Sequence, residues 1–194
     1  MLLNNLKNYD LILASASPRR QQLLEAMGIS FRVVSREVDE IFPEHMNPLQ
    51  VAEYLSRIKA GAFTHEEITD RSLIIAADTV VTLDGDILGK PANIAEAVGM
   101  LRLLSGKTHE VITGVTLYSL KKVHTFSVKT RVSFRVLQND EINYSVNTFK
   151  PFDKAGGYGI QEWIGYVGVE RITGSYVNVV GLPTQRLYAE LSKF

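Results

Sequence analysis

Two serines and two arginines fall within the six residues Ser15-Ala16-Ser17-Pro18-Arg19-Arg20, directly after the apolar run Leu11-Ile12-Leu13-Ala14. The run has the length of a short buried strand. Ser17 suits a helix N-cap and Pro18 the first helical position. A helix starting there aims unpaired N–H groups and the positive end of its dipole forward, which favours an anion. The hydroxyls of Ser15 and Ser17 add donors. The guanidiniums of Arg19 and Arg20 add charge and a fork that matches phosphate oxygens. An ordinary capped helix followed by two solvated arginines has the same composition. Three kinds of phosphate-binding group in one short segment favour a site. The segment is not a P-loop, because Gly-x4-Gly-Lys-Ser/Thr is absent from the chain.

Carboxylates form the second group. Asp78 follows Leu73-Ile74-Ile75-Ala76-Ala77, a buried strand in this reading, and precedes Thr79. A carboxylate at the end of such a strand is costly unless a metal or hydrogen bonds compensate it. Open α/β sheets also hold their ligands at the carboxyl ends of strands. Asp78 therefore reads as a metal ligand or a general base, with a structural turn cap as the alternative. Asp39 and Glu40 follow a β-like stretch, Phe31 to Val34. With Asp78 they could hold magnesium, which takes one or two carboxylates plus substrate phosphates; alone they read as a solvated pair. Lys59 and Lys90 read by default as surface lysines. The four histidines lack zinc-ligand spacing, and His109 is expected to pack or cap near Gly106.

These residues need elements to position them. The first helix has Leu23, Leu24 and Met27 on its apolar face and ends at Gly28. A second starts at Asn47-Pro48, with Gln50 in capping-box position and Val51, Leu55, Ile58 and Ala62 at helical spacing. Val80 to Leu88 reads as a hairpin around Asp84-Gly85. A third helix runs from Asn93 to Gly106. Two long β-rich runs then fill His109 to Leu137, split near Lys121-Lys122, with the two-residue period of Val128, Val132, Phe134 and Val136. A helix over Asp140–Asn147, a glycine-rich loop over Asp153–Gly159, short strands around Val167 and Val177, and a last helix from Pro183 to Ser192 complete the reading. Strands and helices are mixed, so the fold class is α/β with a mixed, twisted sheet.

The chain has 194 residues, 45% hydrophobic and 22% charged, with a formal net charge of +0 and no cysteine. No nucleic-acid partner is expected, since proteins that wrap duplexes usually carry a basic excess. Disulfides, thiolate metal sites and a cysteine nucleophile are excluded. Met1 to Asp10 lacks an apolar stretch of signal-peptide length and no run is long enough to span a membrane, so a cytoplasmic location without membrane partners is expected.

The chain resembles the Maf family. The resemblance rests on Ser15 to Arg20, Val38-Asp39-Glu40, Lys59-Ala60, Ala77-Asp78-Thr79, Gly89-Lys90-Pro91, Leu104-Ser105-Gly106-Lys107-Thr108-His109, Asp153-Lys154-Ala155-Gly156 and Gly181-Leu182-Pro183, in the family's order and over nearly the whole chain. It implies a nucleotide pyrophosphatase that needs a divalent metal such as Mg²⁺ or Mn²⁺. It also implies one elongated domain over residues 1–194, with two lobes around a central cleft, similar to inosine triphosphate pyrophosphatases. The family takes its name from inhibited septum formation, and its members often dimerise, so a homodimer is an expected partner. The family's catalytic aspartate falls on Asp78. Its substrate and metal positions fall on Ser15, Arg19, Arg20, Glu40, Lys59 and Lys90, with Glu40 and Asp78 as the metal pair.

Arg19, Thr79 and Tyr158-Gly159-Ile160-Gln161 agree with the family branch that prefers dTTP and UTP. The other branch, which prefers 7-methyl-GTP, carries Trp and Gln at the first two of these positions. Gly157 stands where the branch usually has Ala and is expected to loosen the loop slightly; Glu162-Trp163 stands where Gly is more usual, which bears on the pocket rim and on relative rates among pyrimidines more than on the chemistry. The Gln161 amide can accept from a uracil N3–H while donating to a ring carbonyl, and so can read the base. Two rival readings are a nucleotide-binding regulator of cell division with little turnover, and a nucleic-acid-binding module. The intact Asp78, Lys59 and Lys90 speak against the first, and zero net charge against the second.

Overall fold

A computed structural model describes residues 3–64 and 67–194. Its strands are β1 (Asp10–Leu13), β2 (Arg32–Val33), β3 (Ser72–Leu83), β4 (Asp86–Leu88), β5 (Thr108–Tyr118), β6 (Val123–Phe134) and β7 (Val169–Thr173). They form one seven-stranded sheet in the order β2-β1-β3-β5-β6-β7, with β4 paired to β3. β1 runs parallel to β2 and β3, whereas β4 is antiparallel to β3 and β7 to β6. The mixed α/β sheet is therefore as expected. The helices are α1 (Pro18–Ala26), α2 (Pro48–Gly61), α3 (Ile94–Leu104), α4 (Asn139–Phe149), α5 (Trp163–Gly168), α6 (Tyr176–Val180) and α7 (Thr184–Leu191). No helix among the described residues is long and apolar enough to cross a membrane.

The chain groups into two compact units, the first made of residues 1–78, 113–128 and 181–194, the second of 79–112 and 129–180. In the first unit both faces of β1 and of the first half of β3 are buried. Leu11 and Leu13 of β1 and Leu73, Ile75 and Ala77 of β3 share one core with Leu24 of α1 and Leu187 and Leu191 of α7. The intervening residues, Ile12, Ala14, Ile74 and Ala76, point to the other core, which contains Ala60 of α2. This is the two-residue alternation of strands sandwiched between helices. By the same parity Asp78 belongs to the α2 face.

α2 begins with the expected capping box: Asn47 Oδ1 accepts from Gln50 N–H at 3.0 Å, and Gln50 Oε1 accepts from Asn47 N–H at 3.0 Å. Its buried stripe is Val51, Ala52, Leu55, Ser56 and Ala60. The helix lies directly on β5. A Cβ on Gly114 would sit 2.2 Å from the Ala52 carbonyl oxygen and 2.6 Å from the Glu53 nitrogen. Beside this contact the Ser56 and Thr116 hydroxyls are 2.8 Å apart, and Ser127 donates to Glu53 at 2.8 Å.

In the second unit Asp84 and Gly85 both have positive φ, 54° and 98°, the requirement of a tight two-residue hairpin turn between β3 and β4. Asn93 caps α3 by accepting from Glu96 N–H at 3.0 Å. α3 packs against α4 and against a single 3₁₀ turn, Ala155–Gly157, in the glycine-rich loop.

Two expectations need correction. β3 does not stop before Asp78 but continues to Leu83, because Val80, Val81, Thr82 and Leu83 are buried as well. The expected strands around Val167 and Val177 are helical turns, α5 and α6, and the strand there is Val169–Thr173. Short apolar runs fit a buried strand or a helical turn equally by period. Two local features decide for helix. Glu162 O accepts from Gly165 N–H at 2.9 Å and from Tyr166 N–H at 3.3 Å, and Ser175 Oγ accepts from Asn178 N–H at 3.3 Å, the bonds of helix starts.

Candidate active site

The chain leaves β1 with Ala14 N–H donating to Ile75 O at 2.9 Å and turns into α1. Ser17 occupies the N-cap position, but its side chain makes no capping bond. Instead Ser17 N–H donates to Ser15 Oγ at 3.2 Å, and Ser15 is buried. The half-buried Arg20 donates through Nε to Gly181 O at 2.9 Å and through Nη1 to Ser15 Oγ at 3.4 Å. Burial lowers its affinity for a proton; the Asp78 carboxylate opposes this most, Arg19 adds to it, and Glu40 opposes it more weakly. An arginine remains charged throughout.

Lys59, in the last turn of α2, is no surface lysine. Its side chain is 17% exposed, and Nζ donates to Glu40 Oε1 at 2.7 Å and also to Asp78 Oδ1. One ammonium thus gathers two carboxylates from segments 38 residues apart in sequence, Glu40 and Asp78. Asp39 is exposed, and Glu40 is the member of the acidic pair that reaches Lys59. Ser15, Arg20, Glu40, Lys59 and Asp78 are therefore linked by hydrogen bonds and charge within the first unit, with Ser17 and Arg19 on the same helix start.

The other candidates lie in the second unit. Thr79 is half-buried on β3, and Lys90 is exposed just after β4. The residue before it, Gly89, accepts from Gly156 N–H at 3.0 Å, which ties the Lys90 loop to the glycine-rich loop. Gln161 is exposed at the far end of that loop.

The sequence reading missed one cluster. His109 is buried, stacked on Phe134 with centroids 5.4 Å apart, and its Nε2 lies 2.7 Å from the Tyr158 hydroxyl. Its Nδ1 is buried without a hydrogen-bond partner. Burial lowers the His109 pKa to about 4 and raises that of Tyr158, so both are neutral near pH 7. A histidine five residues after a helix-terminal leucine carries no sign of a partner 49 positions away. A stability effect follows. Unfolded His109 takes up a proton below about pH 6.5, but the folded ring resists it down to about pH 4. The unfolded state binds more protons in this window, so stability falls as pH drops from 6.5 to 4, by up to about 3 kcal/mol. Urea unfolding at stepped pH should show this slope in the parent chain and lose one proton's worth of it in His109→Gln.

Fold and candidate site together describe an α/β protein with two serines and two arginines at a helix start and a carboxylate pair gathered at one lysine. The chain belongs to the Maf family: the family model described as Maf-like protein matches residues 10–194. It is 50% identical over 195 residues to the dTTP/UTP pyrophosphatase of Parabacteroides distasonis, covering 100% of both chains. It is 49% identical over 193 residues to the dTTP/UTP pyrophosphatase of Phocaeicola vulgatus, covering 99% of this chain and 100% of that one. Among solved structures, the Ham1 protein of Staphylococcus aureus superposes with a TM-score of 0.51 at 14% identity, covering 93% of this chain and 99% of that one. This last likeness concerns the fold alone.

Proposed function

We propose that this chain hydrolyses dTTP and UTP to the nucleoside monophosphate and pyrophosphate. Full-length relatives at about half identity carry that activity in their names. The observation that carries the reading on this chain is the Asp78–Lys59–Glu40 bridge, with Arg20 in electrostatic reach of both carboxylates. Arg19, Arg20 and the α1 N-terminus would hold phosphate oxygens, with Ser15 and Ser17 as further donors; Lys90 is a further substrate-binding candidate in the second unit. Lys59 would orient Asp78. Asp78 would accept a proton from the water that attacks the α-phosphorus; the new P–O bond forms as the bond to the bridging oxygen breaks, and pyrophosphate leaves. Positioning and electrostatics supply most of the rate in such transfers.

The donor set fits a divalent metal. Glu40 and Asp78 present oxygen ligands that meet at one ammonium, and hard cations such as Mg²⁺ and Mn²⁺ prefer oxygen. No group of three or more His, Asp or Glu gathers among the described residues, so Glu40 and Asp78 would need substrate phosphates to complete the shell. When bound, the cation would neutralise phosphate charge. On this reading the chain works in the cytoplasm, where nucleoside triphosphates are made and used.

Pyrophosphate release, measured across canonical and modified triphosphates with Mg²⁺ or Mn²⁺, tests the activity; a chain that only binds nucleotides releases none. The branch signature of Arg19, Thr79 and Gln161 supports a pyrimidine preference with Gln161 as reader. Gln161→Glu removes the donor to the ring carbonyl but keeps an acceptor. The UTP-to-CTP ratio of kcat/KM is expected to fall by about 10- to 100-fold, as when a hydrogen-bonding partner in a site is mismatched. An unchanged ratio rules Gln161 out as the reader.

A further inference from the structure

We propose that His109 and Tyr158, aided by Lys154 and Glu162, are positioning residues that fasten the glycine-rich loop so that Gln161 is presented in one place. The proposal rests on the reading of Gln161 as the base reader.

The loop from Asp153 to Glu162 has one 3₁₀ turn and no other regular structure. Three backbone hydrogen bonds hold parts of its path, Gly156 N–H to Gly89 O at 3.0 Å, Gly157 N–H to Lys154 O at 3.1 Å and Glu162 N–H to Gly159 O at 3.0 Å, and side chains add to them. Gly156 and Gly157 both adopt left-handed φ, 73° and 70°, and a Cβ on Gly156 would press on Val81 at 2.9 Å. Beyond them Tyr158 plunges into the second unit. Its ring meets Phe134 edge-on at 5.1 Å and His109 edge-on at 5.5 Å, and its hydroxyl reaches His109 Nε2 at 2.7 Å. Each of these two buried polar groups would be left unsatisfied without the other, because both are cut off from water.

The second fastening closes the loop end to end. Lys154 Nζ pairs with Glu162 Oε1 at 2.9 Å and with Asp153 Oδ1 at 2.6 Å. The Glu162 carboxylate folds back against Gly159, where a Cβ would come within 2.6 Å of it, and Glu162 N–H donates to Gly159 O at 3.0 Å. Gln161 is the residue immediately before Glu162, and Tyr158 lies three residues upstream. The reader's backbone is thus held on both sides, one hold being a buried hydrogen bond and the other an ion pair.

The test compares Tyr158→Phe, His109→Leu, His109→Gln and Glu162→Gly with the parent chain. For Tyr158→Phe and His109→Leu the KM for UTP and dTTP is expected to rise about tenfold, the size of one lost buried hydrogen bond, with kcat within about threefold. Glu162→Gly should raise KM about threefold. Inhibition by inorganic tripolyphosphate, which engages the phosphate side without a base, should not change. His109→Gln can place an amide near the Nε2 position and should restore most of the KM. Loss of packing alone would not be rescued in this way. A KM for Tyr158→Phe within twofold of the parent overturns the proposal, as does an equal weakening of tripolyphosphate. If His109→Leu fails to fold, the Tyr158→Phe and His109→Gln pair still decides. Gln161→Ala separates the two levels: no change in base preference overturns the base-reading role and this proposal with it. A change there, with Tyr158→Phe at parent values, overturns the anchor alone.

Discussion

Asp78→Asn is expected to lower pyrophosphate release from UTP and dTTP by about 10³-fold, within the range for removing a positioned general base. The substitution keeps the shape and an acceptor for the Lys59 ammonium, so the link to α2 survives. It removes the ability to take a proton from water and one negative charge from a site where a single Lys59 ammonium pairs with two carboxylates. KM should change far less than kcat, because the phosphate-holding groups, Arg19, Arg20 and the start of α1, are untouched. Steady-state kinetics on both nucleotides, with a melting curve to show that the variant is folded, reads the outcome. A folded variant with more than about a tenth of parental kcat removes Asp78 from the base role.

Gly114→Ala is expected to destabilise the protein by about 3 kcal/mol or more, beyond the usual cost of an extra core methyl group. The new Cβ would meet the Ala52 carbonyl oxygen at 2.2 Å, its carbon at 2.3 Å and the Glu53 nitrogen at 2.6 Å. These are backbone atoms of α2, so no rotamer change relieves the clash; the helix must lift or the strand must bend. Lifting stretches the Ser56–Thr116 and Ser127–Glu53 hydrogen bonds. It also carries Lys59 away from Asp78, so residual folded protein should lose activity as well, since a misplacement of about 1 Å can cost 10²-fold. Gly99 in α3 has nothing within 4 Å of its Cβ position, and Gly99→Ala is the control expected to be neutral or stabilising. Chemical denaturation of both variants checks the pair.

The elements that were readable from residues are those with local signals. The Asp84-Gly85 turn, the Asn47–Gln50 capping box and the break at Lys121-Lys122 each depend on residues a few positions apart, and each lies where expected. Residues 163–180 misled because their apolar stretches carry no period long enough to distinguish a strand from a turn of helix. The candidate site divides in the same way. Ser15 to Arg20 is a local motif, and its strand-to-helix turn was legible from its own residues. Lys59 read as a surface lysine until α2 docked it on the Asp78 face of β3. Nothing near Arg20 in sequence points to Gly181, which lies 161 residues away, and nothing near His109 points to Tyr158. Such partners are chosen by packing, and a single sequence leaves no mark of them.

The first unit is assembled from three separated stretches of chain, the last being residues 181–194. Leu182, Leu187 and Leu191 fill its core, Leu191 O accepts from Asn5 Nδ2 at 2.8 Å, and Gly181 O holds Arg20. The carbonyl that steadies Arg20 is made 161 residues after it, and Leu187 and Leu191 later still. The turn from Ser15 to Arg20 therefore cannot reach its final packing until residue 191 has been made, however early its own residues are.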